Sequence, residues 1–478
     1  MKTLAELTAD LEILENDSDP ALKVSSIQFD SKLAEKNSVF VAVVGTVVDG
    51  HNFIGDAVAR GAKAIIYEED SIKKISGISY VRVRDSRRAL ALLAQNFYDH
   101  PSRKLKLVGV TGTNGKTTIV TMLFNLFESL GYPSALLSTI ENRIGDKTYP
   151  ATHTTPNPLV LASFLNQAVV AGCQYAFMEC SSHAINQKRV WGLEFAGAVF
   201  TNLTHDHLDY HKTMENYALA KKGLFDALSA TAFAVANQDD SWSEYILSQT
   251  RAKKHLVSLK DKKVEGDKGG LRISWDDKEI RSKLFGHFNA YNILEVYTVS
   301  KLLGLAEEKI TEALASLHAP VGRMEFVKSK SGVTGIVDYA HTPDALEKIL
   351  GATRSLFPKA RIITVVGCNG EADKLKRPVM GRIAYELSDH VVFSSDNPKN
   401  EDPEKILEEI VAGIPSKNGK YECEADRAKA IGIAVRHAKP GDVILLAGKG
   451  HEDYQALKIG RIPFSEKKEL EKAFANFS

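Results

Sequence analysis

The segment LKLVGVTGTNGKTT, running from Leu105 to Thr118, sets the architecture of this chain. Leu105–Val110 is a short, mostly apolar run of strand length, and Ile119–Leu130 behind it carries helical periodicity. Between them lies the turn Gly112, Thr113, Asn114, Gly115, Lys116, Thr117, Thr118. Glycines between a strand and a helix let backbone N–H groups approach phosphate oxygens, and the helix start adds positive potential. Lys116 is then expected at the outer phosphates and the Thr117 hydroxyl on Mg²⁺. The spacing departs from G-x-x-x-x-G-K-[ST] at one place, because Val110 stands five residues before Gly115 and the glycine is at Gly109. An ordinary glycine turn is the bland alternative. Strand, glycines, lysine and two threonines in order favour a nucleotide loop, but the loop does not choose between motor, kinase, switch and ligase.

On either side, strand-length apolar runs alternate with helical segments, which predicts an α/β fold. Val39–Val44 and Ala62–Tyr67 read as strands, with helical Phe53–Arg60 between them. Val199–Leu203 and Ala232–Asn237 extend the middle region, and Gly335–Tyr339, Arg361–Val366, His390–Ser394 and Val443–Ala447 form a third set. Boundaries are expected near His100–Ser102 and His318–Val321, giving units 1–102, 103–318 and 319–478. Lys+Arg 61 against Asp+Glu 60 gives no electrostatic reason to expect nucleic acid or a membrane surface as partner. The four cysteines have no C-x-x-C spacing, and the acidic start lacks a signal peptide's basic and apolar regions. No apolar stretch approaches the roughly 20 residues of a spanning helix. A cytoplasmic protein without membrane insertion is expected.

Two further clusters carry chemistry. Glu179 ends the apolar run Tyr175–Met178, where a second-strand Mg²⁺ ligand would sit, although a solvated glutamate is the plainer reading. THDHLDYH, Thr204 to His211, follows a strand with three histidines and two aspartates. Alternating histidines suggest a metal, with zinc conceivable and Mg²⁺ preferring oxygen. Lys221 and Lys222 read by themselves as a solvated helix face.

Taken with these, FGHFNAYN (285–292), GRME (322–325), DYAHTPDAL (338–346), SDNPKNEDP (395–403) and GKGHEDYQ (448–455) resemble, in order and over nearly the whole chain, the Mur ligase superfamily. The DNP stretch looks like that of its tripeptide-synthetase branch. The resemblance implies a three-domain Mur ligase architecture: a uridine-nucleotide-binding domain, a central P-loop ATPase-like parallel-sheet domain and a C-terminal Rossmann-like domain bringing the amino acid. It also implies an ATP-dependent ligation of a diamino acid to UDP-MurNAc-L-Ala-D-Glu through an acyl phosphate, by a monomer. Phe29, Ser31, Thr46, Val47 and Val48 would bind the uridine part, and His153, Thr154, Thr155, Ser181, Gln187 and Arg189 the sugar-dipeptide. Gly112–Thr118, Asn289, Arg323 and Asp338 would hold ATP, with Lys116, Lys221 and Arg323 catalytic. Thr117, Glu179, His207 and Lys221, the last carbamylated by CO₂, would hold Mg²⁺. Asp396, Asn397, Pro398, Lys399, Gly448 and Glu452 would bind the amino acid.

The pattern breaks in that last set. Enzymes of the branch that use meso-diaminopimelate usually carry D-N-P-R, whereas this chain has Lys399, which keeps the charge without the bidentate fork. The family's G-x-x-G-[DE]-R-D has Ala372 in place of arginine, with Lys374, Lys376 and Arg377 as candidate substitutes. His153 stands where relatives often have asparagine. Meso-diaminopimelate is the expected amino acid, with L-lysine second. A folylpolyglutamate-synthase-like ligase and a non-ligase nucleotide module are the competing readings. The roughly one hundred residues before the phosphate loop disfavour the first of these.

Overall fold

The structure, a computed structural model, describes residues 1–45, 48–415 and 419–476. Its middle region is built on the strand Lys106–Thr111, buried from Leu107 onward. Tyr175–Glu179 pairs with it on one side and Gly197–Phe200 on the other, all parallel. Ser134–Leu137, Phe233–Asn237 and Lys253–Val257 continue the parallel sheet, and an antiparallel hairpin, Glu141–Ile144 with Lys147–Pro150, closes one edge for eight strands. Strands covered on both faces must be apolar on both, which is why YAFM, GAVF and FAVA are continuous rather than alternating. The helix Lys116–Ser129 packs Phe124 and Phe127 into this core. Each contributes about 1.5–3 kcal/mol by leaving water.

Before it, Ile27–Gln28, Val39–Val41, Ala64–Tyr67 and Ser79–Val83 form a parallel sheet with Ile13–Asp17 as an antiparallel edge. After it, the order Glu325–Lys328, Thr334–Asp338, Val443–Ala447, Ile362–Val366, His390–Ser394, Tyr421–Glu424 gives a six-stranded sheet, parallel except at its first strand. Helices Pro343–Leu356 and Pro403–Val411 begin with proline behind side-chain caps from Thr342 and Asp402. A two-stranded hairpin, Tyr454–Leu457 with Gly460–Pro463, follows the last parallel strand.

The expected strands all exist, displaced by a few residues at their ends. The hairpin at Glu141–Pro150 and the three-stranded antiparallel sheet Lys263–Asp267, Gly270–Trp275, Lys278–Ser282 went unread, because they are short and polar on their outer faces. Among the described residues no helix is long and apolar enough to cross a membrane, and all four cysteines are free.

Candidate active site

Parallel strands deliver their ligand-binding loops at their carboxyl ends. Here three adjacent ends meet: the glycine turn after Thr111, Glu179 and the segment after Phe200. Gly112 and Gly115 take positive φ (152° and 90°). The Thr201 hydroxyl donates to the Asn114 carbonyl at 2.6 Å, and the Asn114 N–H to Asn202 Oδ1 at 2.9 Å. A Cβ on Gly112 would lie 1.8 Å from Thr201 Oγ1. Gly112→Ala is therefore expected to cost about 1–3 kcal/mol of stability by overpacking and to raise the KM for ATP. Thermal unfolding beside ATP titration checks this, and an unshifted Tm would contradict the crowding.

Lys116 Nζ donates to the Gly112 and Thr113 carbonyls at 3.0 and 2.9 Å. Lys221, buried, donates to the same Gly112 carbonyl at 2.8 Å, with the Tyr217 ring 4.4 Å away. Burial first, and then the Lys116 charge, push the Lys221 amine well below the usual lysine range. Burial lowers Lys116 as well. Two amines on one carbonyl, with no carboxylate bonded to either among the described residues, form an anion-seeking centre. The solvated-face reading of Lys221 and Lys222 is thus corrected: their helix, Met214–Asp226, buries both, Lys222 on Asp226 at 2.6 Å.

Glu179 is fully buried. Its Oε1 accepts from Thr117 Oγ1 at 2.9 Å and from the Thr139 N–H at 2.7 Å, while its Oε2 is buried without a partner among the described residues. An orphaned carboxylate oxygen beside a threonine hydroxyl is a donor set that fits Mg²⁺. The histidines of THDHLDYH do not converge as a metal cluster would. His205 bonds Asp373 at 2.9 Å and His211 meets Ser182 at 3.0 Å. His207 feels the charges of both Lys116 and Lys221. Burial depresses it to about 3, against the pull of Asp206, and leaves it a neutral imidazole with a free lone pair. Its backbone is left-handed (φ 56°). Burial opposes ionisation of Asp206, but Lys376 at 3.3 Å and His207 hold its carboxyl below the usual range.

Asn114, Gly115, Thr118, Asn289, Arg323 and Asp338 line one cleft between the middle and C-terminal regions. Arg323 stacks on Tyr339 at 4.7 Å and reaches Thr117 Oγ1 at 3.4 Å. Asp338 accepts the Met324 N–H at 2.7 Å, and burial raises its carboxyl. Asn289 is fixed by Phe285 and Asn292.

A second cleft, of about 670 Å³, gathers Phe29, Ser31, Val48, His153, Gln187 and Arg189. Thr46 and Val47 lie outside the described residues. Arg189 donates to Gln187 Oε1 at 2.7 Å and to the Thr155 carbonyl at 2.9 Å. Thr155 Oγ1 accepts the Ser181 N–H at 3.0 Å and donates to the Glu179 carbonyl at 2.7 Å, and Thr154 Oγ1 accepts from Thr139 at 3.0 Å.

The third pocket is in the C-terminal region. Asp396 is buried with neither carboxylate oxygen hydrogen-bonded among the described residues, and Lys449 Nζ is 3.5 Å away. Lys449 donates to Asn397 Oδ1 at 2.9 Å and Glu452 Oε2 at 2.7 Å, and Asn397 Nδ2 also donates to Glu452 at 2.9 Å. Gly448 leaves room for Asp396, whose Oδ2 would be 2.8 Å from a Cβ there. Pro398 and left-handed Lys399 (φ 54°) turn the chain, and the Lys399 N–H joins the Ala456 carbonyl at 2.9 Å. The candidate substitutes for the arginine missing at Ala372 are otherwise engaged. Arg377 is fully buried on Glu401 and Glu409 at 2.9 and 2.6 Å, Lys376 is on Asp206, and Lys374 is 3.3 Å from Glu401. Sequence reasoning passed over Lys449 and the buried pair Arg427–Glu466. The signal for Lys449 was its place inside GKGHEDYQ.

The chain matches three family descriptions: "Mur ligase family, catalytic domain" over residues 23–98, "Mur ligase middle domain" over 110–300, and "Mur ligase, glutamate ligase domain" over 322–450. It is 48% identical over 452 residues to the UDP-N-acetylmuramoyl-L-alanyl-D-glutamate--2,6-diaminopimelate ligase of Cytophaga hutchinsonii, covering 93% of each chain. It is 43% identical to the ligase of that name from Bacteroides thetaiotaomicron, covering 98% of this chain and 99% of that one. A solved structure of a ligase of that name superposes with a TM-score of 0.69 at 28% identity over 99% of both chains. Folylpolyglutamate synthase of Mycobacterium tuberculosis, with a TM-score of 0.62 at 16% identity, covers 76% of this chain and shares the fold alone.

Proposed function

The chain belongs to the Mur ligase family, and from that premise we propose that it joins meso-diaminopimelate to the D-Glu side-chain carboxylate of UDP-MurNAc-L-Ala-D-Glu, converting ATP to ADP and phosphate, in peptidoglycan precursor synthesis. The observation that carries this reading is the position of Glu179. Its side chain takes the phosphate-loop hydroxyl of Thr117, and its backbone carbonyl takes Thr155 of the dipeptide cleft. A γ-phosphate and an acceptor carboxylate bound in these two clefts would be neighbours, which is the proximity that phosphoryl transfer needs.

The chemistry follows from need. A carboxylate is a poor electrophile, so its oxygen takes the γ-phosphoryl group and ADP leaves. The incoming amine attacks the acyl carbon, loses a proton, and phosphate departs with the C–O bond electrons. Each step gathers negative charge, which Lys116 and Arg323 are placed to spread. Thr117, Glu179, His207 and a Lys221 carbamate would hold Mg²⁺, which supplies charge neutralisation on the phosphates. A carbamate suits Lys221 because it replaces one of two adjacent cations by an anion. Asp396 and Glu452, two carboxylates in one pocket with a single bonded ammonium, suit an amino acid carrying an extra amine. The reading includes division at 1–102, 103–318 and 319–478, and a cytoplasmic monomer.

Relatives named for 2,6-diaminopimelate at up to 48% identity support that amino acid over L-lysine. Phosphate release is to be measured with the UDP-linked dipeptide, Mg²⁺ and bicarbonate against meso-diaminopimelate, L-lysine and L-ornithine, with product mass. Diaminopimelate is expected to exceed lysine in kcat/KM by about 100-fold or more, the selectivity available to a site that pairs a charged group. Preference for lysine would reverse the amino-acid reading. Phosphate release independent of acceptor amine would favour the non-ligase module.

A further inference from the structure

We propose that Arg461 determines specificity by binding the distal carboxylate of the incoming diamino acid, in place of the arginine fork missing at positions 372 and 399. The inference rests on the ligase reading above. It starts from a deficit. The amino-acid pocket holds two carboxylates, Asp396 and Glu452, and its buried cations are already taken: Lys449 is bonded to Glu452 and Asn397, and Arg427, which comes up against Gly448, to Glu466. That set recognises an amine and offers nothing to a carboxylate. Arg377 and Lys376 are committed to acids elsewhere.

Arg461 lies on the hairpin that follows the pocket. It is paired across the strands with Ala456. Ala456 is fastened to the DNPK turn at both ends of its peptide, its N–H on Asn397 Oδ1 at 2.9 Å and its carbonyl on the Lys399 N–H at 2.9 Å. Gln455 adds a bond to the Asp396 carbonyl at 2.8 Å. The hairpin is therefore held in register with the pocket. The guanidinium stacks on Tyr454 at 4.2 Å, two residues beyond Glu452. Lys449 faces the same ring at 5.6 Å. Among the described residues Arg461 has no carboxylate partner, so its fork is free. Its charge is also felt at His153, across the gap in the dipeptide cleft, where burial, Arg189 and then Arg461 lower the imidazole. Arg461 is itself solvent-exposed, so its guanidinium is open to an incoming anion.

An amine acceptor two residues before Tyr454 and a planar cation stacked on that ring make a receptor for a zwitterionic head, –NH₃⁺ on Glu452 and –COO⁻ on Arg461. Meso-diaminopimelate carries such a head at its far end, and lysine has only the amine. Lys399, on the same turn, adds charge but no fork.

The test compares wild type with Arg461→Ala, Arg461→Lys and Lys399→Ala. KM is measured for meso-diaminopimelate, ATP and the UDP-linked dipeptide, with L-lysine as substrate or, where it does not turn over, as competitive inhibitor. Wild-type turnover tests the ligase reading alone, and only the variants test Arg461. Arg461→Ala is expected to raise the diaminopimelate KM on the order of 100-fold, as losing a charge-assisted pair does, while the other KM values and the lysine constant stay within about two-fold. Arg461→Lys should recover part of the loss, and Lys399→Ala should cost less. Equal weakening of lysine and diaminopimelate, a rise confined to the UDP-linked dipeptide, a larger effect from Lys399→Ala, or no change would each overturn the assignment.

Discussion

Lys221→Ala is expected to lower kcat by about 10³-fold or more while leaving the fold as stable as before, a combination that follows from the surroundings of this amine. The side chain is buried, its only hydrogen bond among the described residues goes to the Gly112 carbonyl, and Lys116 shares that acceptor. Without the carbamate it is a buried amine whose charged form burial and Lys116 disfavour, so deleting it breaks no ion pair. As a carbamate it supplies the anion this centre lacks. Two measurements separate these roles. Wild-type activity should fall in buffer stripped of CO₂ and return with bicarbonate, and isotope-labelled bicarbonate should give a protein-bound carbamate signal that Lys221→Ala lacks. Activity insensitive to CO₂, or a variant within ten-fold of wild type, would refute the carbamate.

Arg427→Ala should have the largest effect on stability, about 3–5 kcal/mol, because it leaves a buried carboxylate unpaired. Arg427 and Glu466 are both essentially inaccessible. Arg427 Nε and Nη2 reach Glu466 Oε1 at 3.0 and 2.5 Å, Nη2 also donates to the Ala447 carbonyl at 2.8 Å, and Glu466 Oε2 accepts the Gly450 N–H at 3.2 Å. The pair therefore ties the last helix, Glu466–Asn476, to the turn that presents Gly448 and Glu452. Denaturant unfolding of the variant should show the loss, with the diaminopimelate KM rising before that for ATP. The double variant Arg427→Met/Glu466→Leu should recover more than half of the stability, since an apolar pair replaces both charges. A single-variant cost below about 1 kcal/mol would mean that water reaches the site, and the burial argument would fail.

Much of the site could be read from the chain because its pieces are local. The phosphate loop lies within one strand–turn–helix unit, and its function needs only glycines, a lysine and a threonine at fixed steps. THDHLDYH shows the limit. Its composition suggests one metal cluster, yet strand and helix directions send His205 to Asp373, His211 to Ser182 and Asp206 to Lys376. Spacing along a loop does not fix where side chains point once other segments compete for them. Lys221 and Lys222 show the same in reverse, since a lysine pair on a helix is solvated on average and packing buried both of these.

Local chemistry was thus sufficient for the alternation of strands and helices and for the nucleotide turn, because each depends on neighbours in the chain, while the two missing arginines were legible only against the family's pattern. The meeting of Thr117, Glu179 and Thr155, the contact of Asp206 with Lys376 170 residues away, the burial of Arg427 on Glu466 and the docking of the Arg461 hairpin on the DNPK turn were fixed by strand order and domain packing. Charge pairing across such separations acts only after the sheets have formed, when low dielectric and excluded water make a buried ion depend on a partner that the local sequence does not specify.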